Sequence, residues 1–504
     1  MDSVAESPGI ESESLGNQIR RAVLWRSGSQ ILVQMVQWAA TFLVIRILSP
    51  ADYGLFAMTQ VVLGLLNMMN GLGLASGLIR AETVSRRQIR QLFGMLLLVN
   101  GALALAQLLL APWAAAYYRQ PIVARMLEIQ CLIYLTTPFI ALPFALLSRA
   151  MDYREQAKAN VAGSLAGAIA ALAGALGGLG VWTLVLAPIV LFTVRGLALM
   201  TAAKAWMWPS FDFRGAGALA RYGSLMALGQ LCWFAESQAD VFIAGRQFDP
   251  HWLGIYTTSL FLTQIFVSKI VPPLNEVAFA AYARLNRDSG AVGAAFVRGV
   301  GIIMAAALPF YAGIAATAEP LVLTMLGPQW AQAAPVVRIL AFAMPLLTLQ
   351  TLLAPACDAM GRPGISLRNG ATGAVLLVSA YLVGVRWGAT GLAASWLAAY
   401  PLYVAISLHR TLPVLGVRLA ALAGAVRAPL FGALAMGLGV ALTGAALPPL
   451  PAPLRLALLV PVGAALYAGW MIAFARPLVL ELLRALPLGP LRRLGGAIEP
   501  GAAR

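Results

Sequence analysis

The chain predicts an all-α integral membrane protein of about 14 transmembrane helices, arranged as two pseudo-symmetric six-helix lobes plus two extra C-terminal helices. Three observations carry this reading. The composition is 60% hydrophobic and 11% charged, with a mean hydropathy of +0.81, whereas an ordinary soluble domain carries about 25% charged residues. Apolar runs near the ~20 residues needed to cross a bilayer recur along the whole length. One short stretch also occurs twice, as Arg46-Ile-Leu-Ser-Pro-Ala-Asp-Tyr-Gly54 and as Arg246-Gln-Phe-Asp-Pro-His-Trp-Leu-Gly254.

Taken in order, the spans are read at 28–45, 54–77, 91–113, 127–148, 159–177, 180–202, 217–244, 253–272, 299–318, 333–356, 370–385, 388–408, 428–448 and 456–475. The runs 159–177 and 370–385 are short and rich in Gly and Ala, which suits close helix packing more than lipid contact. Basic residues test the topology. With the N-terminus in the cytoplasm, 27 of the 35 Lys and Arg fall in inside segments and 6 in outside ones. The bias persists loop by loop, which supports the orientation and an even span count, because a missed span would invert every later loop. The net charge of +16 is therefore spread as topology signals, not gathered into a nucleic-acid patch. Met1 to Gly16 is acidic and polar and does not read as a cleavable signal. Cys131, Cys232 and Cys357 sit singly in apolar segments, which gives neither a disulfide frame nor a metal-ligand spacing.

The doubled stretch aligns at an offset of 200 residues, which also carries Arg21 onto Arg221 and Gln30 onto Gln230. Gly177-Gly-Leu-Gly180 resembles Gly388-Ala-Thr-Gly391, and Ala150-Met151 resembles Ala359-Met360. A fixed offset marks a duplicated unit and, in a membrane chain, a transporter built from two related bundles. The plainer alternative is a common helix-exit turn used twice, since Pro and Gly are generic punctuation. The expected division is a cytoplasmic segment 1–27, an N-lobe 28–203, a cytoplasmic linker 204–216, a C-lobe 217–410, extra helices 411–475 and a cytoplasmic tail 476–504. Lobes with an even number of spans repeat in the same orientation and relate by an axis along the membrane normal. The longest soluble insert, about 273–298, reads either as a surface helix in the interface plane or as an ordinary connector.

Few residues invite chemistry. Gln30, Gln34, Gln37 and Thr41 share one face of the first span, where they line a wet path or bond to other helices. Arg26 opens that span and Arg46 closes it, while Arg195 lies inside the sixth span, flanked by Thr193, Val194, Gly196 and Leu197. Arginine forks grip phosphate, although for Arg26, Arg46 and Arg246 snorkelling to the interface is the stronger explanation, which leaves Arg195 the best single candidate. Substrate-cavity candidates are thus Arg26, Gln30, Gln34, Gln37, Arg195 and Gln230. Glu236 and Asp240 stack on one face of the seventh span. Intramembrane acids are candidates for ion coupling, the alternatives being an ion pair with Arg246 or Arg195, or a span end outside the hydrocarbon. No GxxxxGK[ST], GxSxG, HExxH or Cys cluster is present, and no catalytic constellation emerges.

Ile47-Leu-Ser-Pro-Ala-Asp-Tyr-Gly-Leu-Phe-Ala-Met58 resembles the turn after the first span in oligosaccharide flippases of the PST and Wzx type. Leu326-Gly-Pro-Gln-Trp-Ala-Gln-Ala-Ala-Pro-Val-Val-Arg-Ile-Leu340 and Ala359-Met-Gly-Arg-Pro363 resemble later segments of the same family, in the same order, so that the resemblance spans about 17–410. These flippases belong to the multidrug, oligosaccharidyl-lipid and polysaccharide exporter superfamily. The resemblance implies two six-helix lobes around a central cavity, with the two extra helices matching longer members such as lipid II flippases. It implies no cofactor and no enzymatic step, but transfer of an undecaprenyl-diphosphate-linked oligosaccharide across the bacterial inner membrane, with the pathway's polymerase and glycosyltransferases as partners. It fixes no binding residue. A drug or cation antiporter of the same superfamily would want an acidic cavity, and the first lobe has almost no intramembrane acid. A glycan polymerase or ligase would want a sizeable outside loop, which is missing.

Overall fold

The computed structural model describes residues 15–70, 85–211, 234, 236–285 and 289–479, and no strand occurs among them. Helix is the form hydrocarbon demands, because a backbone amide there has no water to bond and must be satisfied within its own segment. Among the described residues, 11 helical stretches are long and apolar enough to cross a membrane. The longest, Pro363–Thr411, is two helices joined by a 3-10 turn at Val385–Trp387. Most of the expected seventh span lies outside the described residues.

The chain divides into two compact units, one of Met1–Leu48 and Val62–Ala227, the other of Ser49–Val61 and Leu228–Arg504. The first holds α1 (Leu15–Ile47), the later turns of α2 (Pro50–Asn70), α3 (Arg86–Tyr118), α4 (Pro121–Gln130), α5 (Leu132–Thr136), α6 (Pro138–Arg149), α7 (Tyr153–Leu176) and α8 (Val181–Ala202). The expected fourth span, 127–148, is three helices end to end, stepping at Cys131 and Thr137. Pro121 and Pro138 open two of these pieces, because a missing N–H and a fixed φ suit a first helical turn. Helix α3 starts on a capping box of Ser85 and Gln88. Its Leu103 and Ala104 pack with Leu63 and Leu66 of α2 and with Tyr134 of α5. Helix α7 packs on both α1 and α8. The small residues of its short span serve the second contact: a Cβ on Gly163 would come within 2.8 Å of the Arg195 Cβ.

The second unit contains the first turns of α2, then α9 (236–247), α10 (Pro250–Lys269), α11 (Val271–Leu285), α12 (Ser289–Ala316), α13 (Ala318–Met325), α14 (Ala333–Thr351), α15 (Leu353–Ala359), α16 (Pro363–Gly384), α17 (Gly388–Thr411), α18 (Leu419–Ala446) and α19 (Ala452–Phe474). Helix α11 occupies the insert expected at the surface. Val271 and Tyr282 are its buried residues, while Leu274, Val277, Phe279 and Leu285 are exposed.

The two copies of the repeated stretch begin helices in the same way. Asp52 Oδ2 accepts from the Ser49 amide at 3.0 Å and from its hydroxyl at 2.6 Å, and the Asp52 amide donates to Ser49 Oγ at 3.3 Å. In the second copy Asp249 caps the Trp252 amide at 2.9 Å, with Pro250 opening the helix. The copies then meet. A Cβ on Gly54 would strike the Pro250 carbonyl and stand 3.0 Å from the Gly254 nitrogen, and a Cβ on Gly254 would strike the Pro50 carbonyl and stand 3.0 Å from the Gly54 nitrogen. The contact is reciprocal and made of bare backbone, so only glycine at both positions permits it. Gly54→Ala or Gly254→Ala should therefore destabilise the protein by roughly 1–3 kcal/mol, the usual penalty of overpacking, seen as a lower thermal midpoint in detergent. Gly101→Ala, where the added Cβ meets nothing within 4 Å, should leave the midpoint unchanged or raise it.

Candidate functional site

Asp240 of α9 is fully buried. Its Oδ2 accepts the Tyr256 hydroxyl of α10 at 2.7 Å, and its Oδ1 accepts the Val241 amide at 2.7 Å. The Tyr256 oxygen in turn accepts from Trp396 Nε1 of α17 at 2.9 Å. Three helices are thus tied together through one phenol. One turn earlier Glu236 is half-buried and lies near Tyr403 of α17, as does Gln350 of α14. Gln350 Nε2 donates to Ser407 Oγ at 3.1 Å.

Aromatic rings enclose this network. Trp396 and Tyr400 stack at 5.3 Å and 11°, Tyr381 lies 5.9 Å from Trp396, and Tyr403 lies 5.9 Å from Tyr400. All four rings are buried. An isolated acid at mid-membrane costs ~2.5–3.5 kcal/mol on insertion scales, and the Tyr256 and Val241 donors offset part of that cost. Among the described residues Asp240 makes no ion pair, so its partners are neutral donors and not the arginines considered from the sequence. Such a carboxylate can take up a proton or a monovalent cation without dismantling a salt bridge. The acids were legible as a pair. Their phenolic partners were not, although Trp396, Tyr400 and Tyr403 recur at helical spacing on one face of α17.

The remaining candidates are scattered. Arg195 of α8 is half-buried with its stem against Gly163, and its Nε is buried without a hydrogen-bond partner among the described residues. Gln34 and Gln37 are half-buried on α1 and Gln30 is exposed. Gln230 and the side chain of Arg26 lie outside the described residues.

A second cluster forms around the glycine contact. Tyr53 meets the fully buried Trp330 edge-on at 5.6 Å. Gly327, at φ 107°, makes the turn that delivers Trp330; this left-handed geometry favours glycine. His251 Nε2 and Gln332 Oε1 are 2.7 Å apart. Two stretches singled out far apart in the sequence, around Tyr53 and around Trp330, are therefore neighbours in space.

The profile of the family described as "Polysaccharide biosynthesis protein" matches residues 43–335. The succinoglycan biosynthesis transport protein ExoT of Rhizobium meliloti (strain 1021) is 24% identical over 359 residues, 71% of this chain and 72% of its own. The teichuronic acid biosynthesis protein TuaB of Bacillus subtilis (strain 168) is 21% identical over 418 residues, 79% of this chain and 85% of its own. In fold, the chain resembles the lipid II flippase MurJ in an inward closed conformation, with a TM-score of 0.75 at 10% identity over 91% of this chain and 100% of that one.

The Tyr256 network yields a contrast. Tyr256→Phe leaves Asp240 Oδ2 and the Trp396 N–H without their hydrogen-bond partner, while Oδ1 keeps the Val241 amide, and each orphaned buried group costs about 1–3 kcal/mol. Tyr381→Phe removes a buried hydroxyl that has no partner among the described residues and should be close to neutral. Thermal unfolding of the two variants in the same detergent measures the difference.

Proposed function

We propose a function from one premise: the chain belongs to the polysaccharide biosynthesis protein family. It is a flippase that moves lipid-linked oligosaccharide units, carried on undecaprenyl diphosphate, from the cytoplasmic to the periplasmic leaflet of the bacterial inner membrane. The observation that carries this reading is how much of the chain the likenesses cover. Relatives named for polysaccharide and teichuronic acid biosynthesis match 71% and 79% of it, and the fold of a lipid II flippase matches 91%. A drug or cation antiporter of the same superfamily would use a similar scaffold, but the names of these relatives do not favour it.

The mechanism proposed is alternating access by two repeat-related lobes, 28–203 and 217–410, with both termini cytoplasmic. The charged sugar diphosphate crosses inside while the polyprenyl tail stays in lipid. The contact between Gly54 and Gly254 joins the two copies of the repeated turn within one compact unit. Gln30, Gln34, Gln37 and Arg195, with Arg26 and Gln230, are the proposed cavity contacts. Glu236 and Asp240 are the proposed coupling groups: a cation bound at the pair removes a buried charge, and its release restores one, so occupancy biases the surrounding helices between two arrangements.

Purified protein in proteoliposomes should speed transbilayer movement of a labelled lipid-linked oligosaccharide, and movement no faster than in empty liposomes would overturn the reading. Glu236→Gln combined with Asp240→Asn should slow gradient-driven transport by roughly tenfold or more, the size of one lost hydrogen bond to a charged group, and should remove its dependence on the ion gradient. Transport with an unchanged ion dependence would take the pair out of the mechanism.

A further inference from the structure

A separate cluster of charge lies at the turn between α15 and α16. Arg362 immediately precedes Pro363, the first residue of α16. Arg368 follows in the second turn of that helix, and Arg410 comes from the last turn of α17. With Gly364 and Ile365 the three arginines line a cavity of about 270 Å³. Arg410 is half-buried and anchored on one side only: its Nη1 donates to Thr372 Oγ1 at 2.8 Å, to the Arg368 carbonyl at 3.1 Å and to Asn369 Oδ1 at 3.4 Å. Arg368 Nε donates back to the Gly364 carbonyl at 3.2 Å. A guanidinium carries five N–H donors, so both side chains are held in place with donors to spare.

Asp358, the acid nearest in the turn, accepts the Ser366 hydroxyl at 2.7 Å. Among the described residues none of the three arginines is within ion-pair distance of a carboxylate. Three cations converging on one small cavity repel one another, and an anion that accepts from planar forks offsets that repulsion. The 22-residue helix α16 starts at the same place and adds the positive end of its dipole.

We infer that Arg362, Arg368 and Arg410 form a phosphate-binding niche, distinct from the acid pair and independent of the transport reading. Its ligand chemistry is a phosphate or diphosphate group, borne by a lipid headgroup or free in solution. The basic-residue bias places the niche at the cytoplasmic headgroup level, where either source is at hand.

The test uses the full chain in nanodiscs. In one arm inorganic pyrophosphate is titrated calorimetrically into nanodiscs of zwitterionic lipid. In the other, native mass spectrometry counts phosphatidylglycerol retained from mixed anionic and zwitterionic lipid. Binding in the first arm identifies a soluble phosphate, and binding in the second a headgroup. In either case Arg362→Gln with Arg368→Gln, both exposed positions, should weaken it by roughly 10–100-fold, as expected for lost hydrogen bonds to a charged group. Arg386→Gln, in the 3-10 turn that follows α16, should leave it unchanged. If the double variant fails to fold, Arg368→Gln alone is read in its place. No binding in either arm, undiminished binding in the variant, or an equal loss in Arg386→Gln each overturns the niche.

Discussion

Hydrocarbon offers no partner to an unpaired amide, and the architecture follows from that constraint. It makes every described span a helix and allows proline inside several of them, as at Pro112, Pro188, Pro345 and Pro401. It also makes close packing of bare backbone valuable. Between lipid-exposed helices the hydrophobic effect gives little net attraction, so contact depends on shape. Where α7 meets α8, and where the two copies of the repeated turn meet, the chain uses glycine to bring helices nearer than side chains permit.

The same constraint sets the terms for polar groups. The buried Asp240 carboxylate is held by a phenol and a main-chain amide, with an indole bonded in turn to the phenol, in a connected set of hydrogen bonds. Such sets are costly when incomplete. That gives Tyr256 an importance out of proportion to its single hydroxyl, because it serves a carboxylate and an indole together. Arg195 is the opposite case, a cation in a spanning helix whose Nε lacks a partner among the described residues. The arginines at the α15–α16 turn are a third case, charge held at a helix end with no carboxylate within ion-pair distance among the described residues.

Much of this was legible before any coordinates. Hydropathy located most of the described helices, because lipid imposes a length and a composition that a linear scan detects. The repeat was legible because its turns use Pro and Gly at fixed positions, whereas the helix caps at Ser49 and Asp249 emerged only from the structure. The breaks at Cys131 and Thr137 were not, since the residues around them are as apolar as any span and the steps arise from packing. Glu236 and Asp240 stood out because acids are rare in such a chain. Their partners did not, because Tyr256 and Trp396 are 140 residues apart, and only helix register brings them to the same carboxylate. The meeting of Tyr53 with Trp330 was hidden for the same reason.

The reciprocal contact of Gly54 and Gly254 bears on how the two halves can evolve. After a duplication each copy is ordinarily free to drift, since a change in one is not felt by the other. Here a side chain acquired by either turn intrudes on the main chain of its sibling. At this point neither turn can gain a side chain, whatever the other does, because each glycine faces the main chain of the opposite turn.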